Sequence, residues 1–300
     1  MNNIIKNPLV SVIINCYNGE KYLSEALESV LNQSYENLEI IFWDNQSTDS
    51  SKSIVESAND ARIKYFYAKN FTKLYEARDF AIKESTGSYL TFLDVDDWWD
   101  KDKISTQLAF FSDGEFGLVC SNFKIYNQFT KKSTLAHRKR MESGFVIAPL
   151  LKYYYVGLLT IMIKREAYIS AGNYCDKNFH IIGDFDLVMR LCRNHKLKYI
   201  DNSLATYRSH LDSESKKYLY MQSQELRTWY QQFIGDEIFS KQMNMSRLLY
   251  FSYYLEALSH ILNKERFKAL KFIFKTSMKN SVKIIVLCAM PLSLINAIRK

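Results

Sequence analysis

No C-x-x-C pair, no internal repeat and no low-complexity segment occurs in this 300-residue chain. The five cysteines (Cys16, Cys120, Cys175, Cys192 and Cys288) are odd in number and widely spaced. They predict reduced thiols serving mostly as core filler in a cytosolic protein, not a disulfide framework. Long apolar runs are also missing. The longest, Ile284 to Ile298, covers about 15 residues and contains Pro291 and Asn296, short of the roughly 20 that a spanning helix needs. At the start of the chain Pro8 and Asn15 bracket too short an apolar run for a signal peptide. Acidic residues are scarce in the tail. From Lys241 onwards 11 Lys or Arg accompany only Glu256 and Glu265, whereas the first 240 residues carry 29 basic and 30 acidic side chains. The net charge of +8 therefore belongs to the tail, where it suits an anionic surface. No nucleic-acid-binding motif accompanies it, which argues against a nucleic-acid partner.

What is present is ordinary globular chemistry, 47% hydrophobic and 24% charged, in a chain long enough for a full core. The first third alternates regularly. Short β-branched or aromatic runs, "LVSVIIN" (Leu9 to Asn15), "LEIIFW" (Leu38 to Trp43), "IKYFYA" (Ile63 to Ala68) and "YLTFL" (Tyr89 to Leu93), predict strands. Between them, apolar pairs four residues apart after Glu20 predict one helix. Ser47, Thr48 and Asp49 offer caps for a second through about Ala58, and Leu74 to Glu84 reads as a third, with Gly87 as a stop. This order predicts an α/β fold, a doubly wound and mostly parallel sheet with helices on both faces. Further on, "FGLVCS", "LLTIMIK", "LKYI" and "LATYR" predict strands, and Asp184 to Asn194 a helix. From about Ser213 long helical periods and rising basicity predict an α-helical extension, so we divide the chain into residues 1–215 and 216–300.

In open parallel sheets ligands sit beyond the carboxyl ends of the strands. Three polar clusters fall there: Asn15-Cys16-Tyr17-Asn18, Asp44-Asn45 and Asp94-Val95-Asp96-Asp97. The last lies in "YLTFLDVDDWWD", where neighbouring carboxylates repel one another unless something cationic offsets them. Hard cations such as Mg²⁺ and Mn²⁺ prefer carboxylate oxygen, and in phosphate sites take one or two protein carboxylates. Helix capping explains Asp100 before "KDKISTQLAFF" but not the other three acids together.

Taken together, four motifs resemble the family 2 glycosyltransferases of GT-A (nucleotide-diphospho-sugar transferase) fold, of bacterial surface-polysaccharide type, over about Pro8 to Ser215. They are the opening "VSVIINCYNGEKYLSEALESVLNQSYENLEIIFWDNQSTDSS" (Val10 to Ser51), "FLDVDDWW", "GDFDLVMRL" (Gly183 to Leu191) and "YRSH" (Tyr207 to His210). The resemblance implies that Asn15, Tyr17 and Asp44 hold the nucleotide base and that Arg78 lies near the base or diphosphate. It implies that Asp94 contacts ribose or metal, that Asp96 binds the metal with Asp97 as alternate, and that His210 is a further ligand or a diphosphate contact. Asp184 takes the position of the catalytic base, with Asp186 in support. The implied cofactor is a divalent cation, Mn or Mg. The implied donor is a nucleotide-sugar, most simply UDP-linked, and the acceptor a glycan hydroxyl. The reaction is inverting hexosyl or N-acetylhexosaminyl transfer in polysaccharide, O-antigen or capsule biosynthesis.

Departures from the family pattern are visible. "NFT" and "ARDFA" replace its "N-x-G" and "AR-N-x-G", Gly183 replaces the acid before the base, and "DNQS" replaces "DDGS". Two rival readings use the same residues. One is a metal-dependent phosphatase or nucleotidyltransferase, the other a non-catalytic nucleotide-sugar- or glycan-binding protein. In the tail, "RFKALKFIFKTSMKNSVKIIVLCAM" interleaves basic and apolar residues. It predicts either peripheral contact with the cytoplasmic face of the inner membrane, where the acceptor is lipid-linked, or a helix packed on the catalytic domain.

Overall fold

The computed structural model describes residues 7–112, 114–210, 218–242 and 244–299. The expected four strands form: β1 (Val10–Cys16), β2 (Leu38–Asp44), β3 (Ile63–Tyr67) and β4 (Tyr89–Asp94). They pair in parallel in the order β3-β2-β1-β4, joined by helices α1 (Leu23–Leu31), α2 (Ser51–Ser57) and α3 (Leu74–Lys83). All seven residues of β1 are buried, as a central strand covered on both faces requires. In α1 the buried Leu23, Ala26, Leu27 and Val30 repeat at three- and four-residue intervals, one stripe facing the sheet. Burying each of the two leucines and the valine contributes about 1.5–3 kcal/mol.

The sheet continues into a mixed half. β5 (Trp98–Trp99), β6 (Phe116–Asn127), β7 (Lys132–Leu135), β8 (Met162–Lys164) and β9 (Lys196–Ser209) bring it to nine strands in the order β3-β2-β1-β4-β8-β6-β9-β5, with β7 on β6. Here the sequence expectations need correction. "LKYI" and "LATYR" are one strand, β9, whose pairing with β6 carries register shifts. The bulges carry the chain through the polar Asp201-Asn202 without ending the strand. "LLTIMIK" is a strand only from Met162, because Leu158–Thr160 form a 3₁₀ turn. Asp100 caps no helix: α4 (Lys103–Leu108) starts later, and Asp102 precedes it without a side-chain cap. Helices α5 (Ile147–Lys152), α6 (Arg165–Ser170) and α7 (Gly183–Cys192) follow.

The chain forms two compact units. The first comprises Met1–Val146 and Tyr155–Ser209, the second Ile147–Tyr154 and His210–Lys300. The second is helical, with helices at Leu219–Phe233, Glu237–Ser240, Met245–Leu262, Arg266–Leu270, Met278–Ala289 and Leu292–Arg299. The boundary expected at 215/216 lies outside the described residues. Among the described residues no helix is long and apolar enough to cross a membrane. All five cysteines are free thiols, four of them buried.

At the amino end of the sheet Glu39 is a structural staple. It accepts hydrogen bonds from Ser11 Oγ (2.6 Å) and from the backbone N–H groups of Thr86 (2.6 Å) and Gly87 (3.0 Å), and pairs with Lys64 (2.6 Å). A Cβ on Gly87 would fall 2.6 Å from Ser11 Oγ and 2.7 Å from the Leu9 carbonyl. That close approach, and not a helix stop, is why glycine stands there. Burial alone would raise the Glu39 carboxyl, but Lys64, Ser11 and the two N–H groups outweigh it and hold the pKa at about 2. A carboxyl held below its unfolded value of 4.5 stabilises the fold above pH 4.5, and that stabilisation is lost as pH falls through about 2. Glu39→Gln is expected to cost about 2 kcal/mol at neutral pH, allowing for screening of the half-exposed lysine, and to flatten the acid limb of stability measured by urea unfolding.

Candidate active site

Register places the polar strand ends side by side. Asn15 of β1 lies opposite Asp94 of β4, Cys16 opposite Asp44 of β2, and Asp44 opposite Tyr67 of β3. The loops leaving β1 and β2 are laced together. Asn18 N–H donates to Ser47 Oγ (2.9 Å), Thr48 N–H to Asn18 Oδ1 (2.8 Å), and Glu20 N–H to Asp49 (2.9 Å). Gln46 stands where the family pattern has glycine and takes a left-handed φ of 70°. Its amide offsets the strain by donating to the Lys69 carbonyl (2.9 Å). Asn45 Nδ2 likewise donates to the Thr72 carbonyl (2.8 Å), so "DNQS" fastens the crest to the 68–72 loop.

That loop carries Phe71, whose exposed ring meets the exposed ring of Tyr17 edge-on at 4.8 Å. Two solvent-facing aromatics on the rim form a surface on which a planar base can rest. Asn15 is buried, and among the described residues its Nδ2 has no hydrogen-bond partner. Asp44 is different. It is shut off from solvent, and its oxygens accept from Ser47 N–H (2.7 Å) and Tyr65 O–H (2.6 Å).

Below the rim, α3 presents Tyr75 and Arg78 three residues apart on one face. Arg78 is buried, its guanidinium 4.7 Å from the Tyr75 ring centre and paired with Asp94. Burial opposes its charge, but Asp94 and Tyr75 outweigh burial and leave its pKa above the ordinary value. Asp184 sits at the start of α7, where Oδ1 accepts the Phe185 N–H (2.8 Å) and the partial positive charge of a helix N-terminus favours an anion. Burial nevertheless pushes its carboxyl up to about 6, against the Phe185 N–H and Arg78. Asp186, fully buried, holds Arg190 (2.9 Å), which in turn donates to the carbonyls of Ala171 (2.6 Å) and Tyr174 (3.0 Å).

Gly183 explains one departure from the family. A Cβ at this position would fall 2.5 Å from the Tyr75 ring. The buried tyrosine occupies the space an acid would need, and its phenol, pushed well up by burial and then by Asp184, stays protonated beside that carboxyl. Gly183→Ala is expected to cost about 1–3 kcal/mol by overpacking, although alanine at an unobstructed helix position would stabilise. Thermal unfolding of Gly183→Ala alone and with Tyr75→Ser checks this, because the second change should remove the cost.

After β4 the chain turns, with Asp97 N–H donating to the Asp94 carbonyl (3.1 Å). Asp94 and Asp96 are half-buried at the crest. Asp97 points inwards, is buried, and accepts the Arg208 N–H at 2.9 Å. Burial, then Asp96 and Asp94, drive its carboxyl well above the ordinary range. Arg208 clamps the turn: Nε donates to the Asp96 carbonyl (2.9 Å), Nη1 to Gln128 (3.0 Å), and Nη2 pairs with Glu25. Its guanidinium lies 4.5 Å from the Tyr22 ring centre and 4.6 Å from that of Trp98. Trp98 covers Arg208. Trp99 is buried, donates to the Leu159 carbonyl (2.8 Å) and covers the buried Lys103. His210 is half-buried and follows directly on β9.

Among the described residues no three His, Cys, Asp or Glu side chains converge as a metal site. The donor set is two carboxylates, Asp94 and Asp96, and one oxygen of Asp94 is already engaged by Arg78. That suits a hard cation that takes most of its remaining ligands from a diphosphate and water. Sequence reasoning missed Phe71, Tyr75 and Arg208. Tyr75 was legible as the same-face neighbour of Arg78, and Arg208 lies inside the quoted "YRSH". Phe71 carries no sequence signal.

A parallel sheet crowned by this crest and extended by a mixed half is a GT-A fold, and comparison with solved structures agrees. The S. aureus TarS 1–349 structure in complex with UDP-GlcNAc superposes with a TM-score of 0.68 at 17% identity, covering 90% of this chain and 82% of that one. Residues 11–179, more than half the chain, match the family described as glycosyl transferase family 2, and the chain belongs to that family. It is similar to TuaG of Bacillus subtilis (strain 168), a glycosyltransferase named for teichuronic acid biosynthesis. The two are 34% identical over 168 residues, 53% of this chain and 63% of the relative. It is also similar to WfaP of Escherichia coli, named UDP-Glc:alpha-D-GlcNAc-diphosphoundecaprenol beta-1,3-glucosyltransferase, at 28% identity over 224 residues, 73% of this chain and 86% of that one. The chain thus spans less than two thirds of the Bacillus relative's length.

Proposed function

We propose that this protein is an inverting glycosyltransferase that moves a sugar from a UDP-sugar to a hydroxyl of a lipid-linked glycan in surface-polysaccharide assembly. The observation that carries the reading is Asp184, a carboxyl with pKa raised to about 6, grouped electrostatically with Arg78 and Asp94 at the crest of a parallel sheet. The names of WfaP and TarS supply the donor and acceptor classes.

Tyr17 and Phe71 support the base, and Asn15 Nδ2 donates to the nucleoside. Arg78 orients Asp94 and sets positive charge beside the diphosphate. Asp94 and Asp96 would hold a Mn²⁺ or Mg²⁺ ion, which when bound supplies positive charge to the departing nucleoside diphosphate. His210 is carried as a further ligand on family analogy alone. Asp184 takes the proton of the acceptor hydroxyl as that oxygen forms its bond to the anomeric carbon. The bond from the anomeric carbon to the diphosphate breaks on the opposite face, and its electron pair leaves with UDP. One base is sufficient for such a single displacement. Asn15, Tyr17, Phe71, Arg78, Asp94, Asp96 and Asp184 all belong to the first compact unit, and we place the protein at the cytoplasmic face of the membrane, where a lipid-linked acceptor is found.

The test is product analysis of the purified chain with a panel of UDP-sugars and a GlcNAc-diphospho-lipid acceptor. UDP release that requires acceptor, and that falls on chelation and returns with Mn²⁺, is expected. Release of inorganic phosphate or pyrophosphate instead would overturn the reading in favour of a phosphatase or nucleotidyltransferase.

A further inference from the structure

The helical unit presents an apolar surface that its own core does not use. Helix Met278–Ala289 packs inwards through Ile284, with Leu287 and Cys288 against a cluster containing Ala257, Ile261 and Ala269. Its other side exposes Met278, Val282, Ile285 and Val286, spaced as one helical stripe. Phe267 and Phe274 extend the exposed apolar set before it. Phe274 is 96% exposed, Phe267 88% and Met278 85%, extreme values for side chains of this size. The segment that projects Phe274 is fixed in place. Ser281 Oγ donates to the Ile273 carbonyl (2.6 Å), Thr276 Oγ1 to the Tyr250 carbonyl (2.8 Å), and Arg266 to the carbonyls of Cys288 (2.9 Å) and Met290 (2.7 Å).

Lysines punctuate the same surface. Lys268, Lys271, Lys275, Lys279 and Lys283 are exposed, and no acidic residue occurs after Glu265. The ammonium groups of Lys275 and Lys283 lie 5.8 and 5.6 Å from the ring centres of Tyr253 and Tyr254. Apolar side chains projecting between lysines match the headgroup boundary of an anionic bilayer, where rings and methyls enter the acyl region and ammonium groups meet lipid phosphates. A second copy of the chain fits poorly. A two-fold contact through this surface would set its lysines against one another, and Glu265, the last acid in the sequence, is already paired with Lys268 (2.6 Å).

We infer that Phe267, Phe274 and the Met278–Val286 stripe form a docking surface for an anionic lipid bilayer. The inference deepens the membrane-side placement proposed above, and is independent of which sugar is transferred. The experiment is co-sedimentation of the full chain with phosphatidylcholine vesicles and with vesicles that also contain phosphatidylglycerol. Binding to the mixed vesicles, weakened by salt and about tenfold weaker in Phe274→Glu/Met278→Glu, is expected. Equal binding to both vesicle types, no binding to either, or a lipid-free dimer abolished by the same double substitution would each overturn it. Vesicle binding is read without substrate, and transfer to a water-soluble acceptor is read without vesicles, so failure of the docking surface and failure of the glycosyltransferase reading are told apart. Unchanged Tm and UDP binding in the double variant show that the fold and donor site are intact.

Discussion

Asp184→Asn should lower kcat by about 10²–10⁴-fold while leaving UDP-sugar affinity nearly unchanged, because the amide keeps the shape of the site but cannot accept the hydroxyl proton. The wild-type pH profile supplies the companion result. The carboxyl titrates at about 6, so kcat/KM should rise as pH passes upward through that value and level off above it. In the variant that limb should vanish. Stability should move the opposite way. An acid whose folded pKa lies above its ordinary 3.8 binds more protons folded than unfolded between the two values, so its contribution falls as pH rises through about 6. At neutral pH the buried charge is therefore a cost, and Asp184→Asn should raise Tm by a few degrees, the pattern of a group kept for chemistry. Equal kcat in wild type and variant would remove Asp184 as the base.

Arg208→Ala should give the largest stability loss, about 2–4 kcal/mol by urea unfolding of the full chain. The guanidinium is buried, donates to Asp96, Gln128 and Glu25, and packs against Tyr22 and Trp98. Glu25 is half exposed, so its Coulomb share is screened, and most of the loss comes from the vacated ring packing and the unpaired Asp96 carbonyl. Arg208→Lys should recover less than half, since an ammonium cannot fork between three acceptors on different elements. Donor affinity should fall in both variants, because the Asp94–Asp97 turn loses its anchor while every carboxylate remains in place. A variant with lowered stability and unchanged donor affinity would separate the clamp from the site.

The parallel half of the fold was legible in the sequence because its strands are short β-branched runs alternating with helical periods, an order that a parallel sheet with helical crossovers accommodates. The mixed half was not. β9 pairs with β6 some 80 residues earlier and with Trp98–Trp99 about 100 residues earlier, and no local period encodes partners that distant. Chemistry divided in the same way. Residue type, order and position at strand ends or a helix start were what singled out Asn15, Tyr17, Asp94, Asp96 and Asp184 as candidates.

The sequence by itself determined which oxygens are available and in what order they lie along the chain. Their protonation and reach were decided only by tertiary structure, since desolvation and pairing depend on what surrounds a group and not on its neighbours in the chain. So Asp97 and Asp96, adjacent in sequence, differ: one is buried under Arg208 with its pKa driven up, the other stays at the crest. Asp44 is engaged by Tyr65, and Gly183 yields its place to Tyr75. In the tail the lysine spacing was plain from the sequence. Which apolar residues were left outside the helical core depended on how those helices pack.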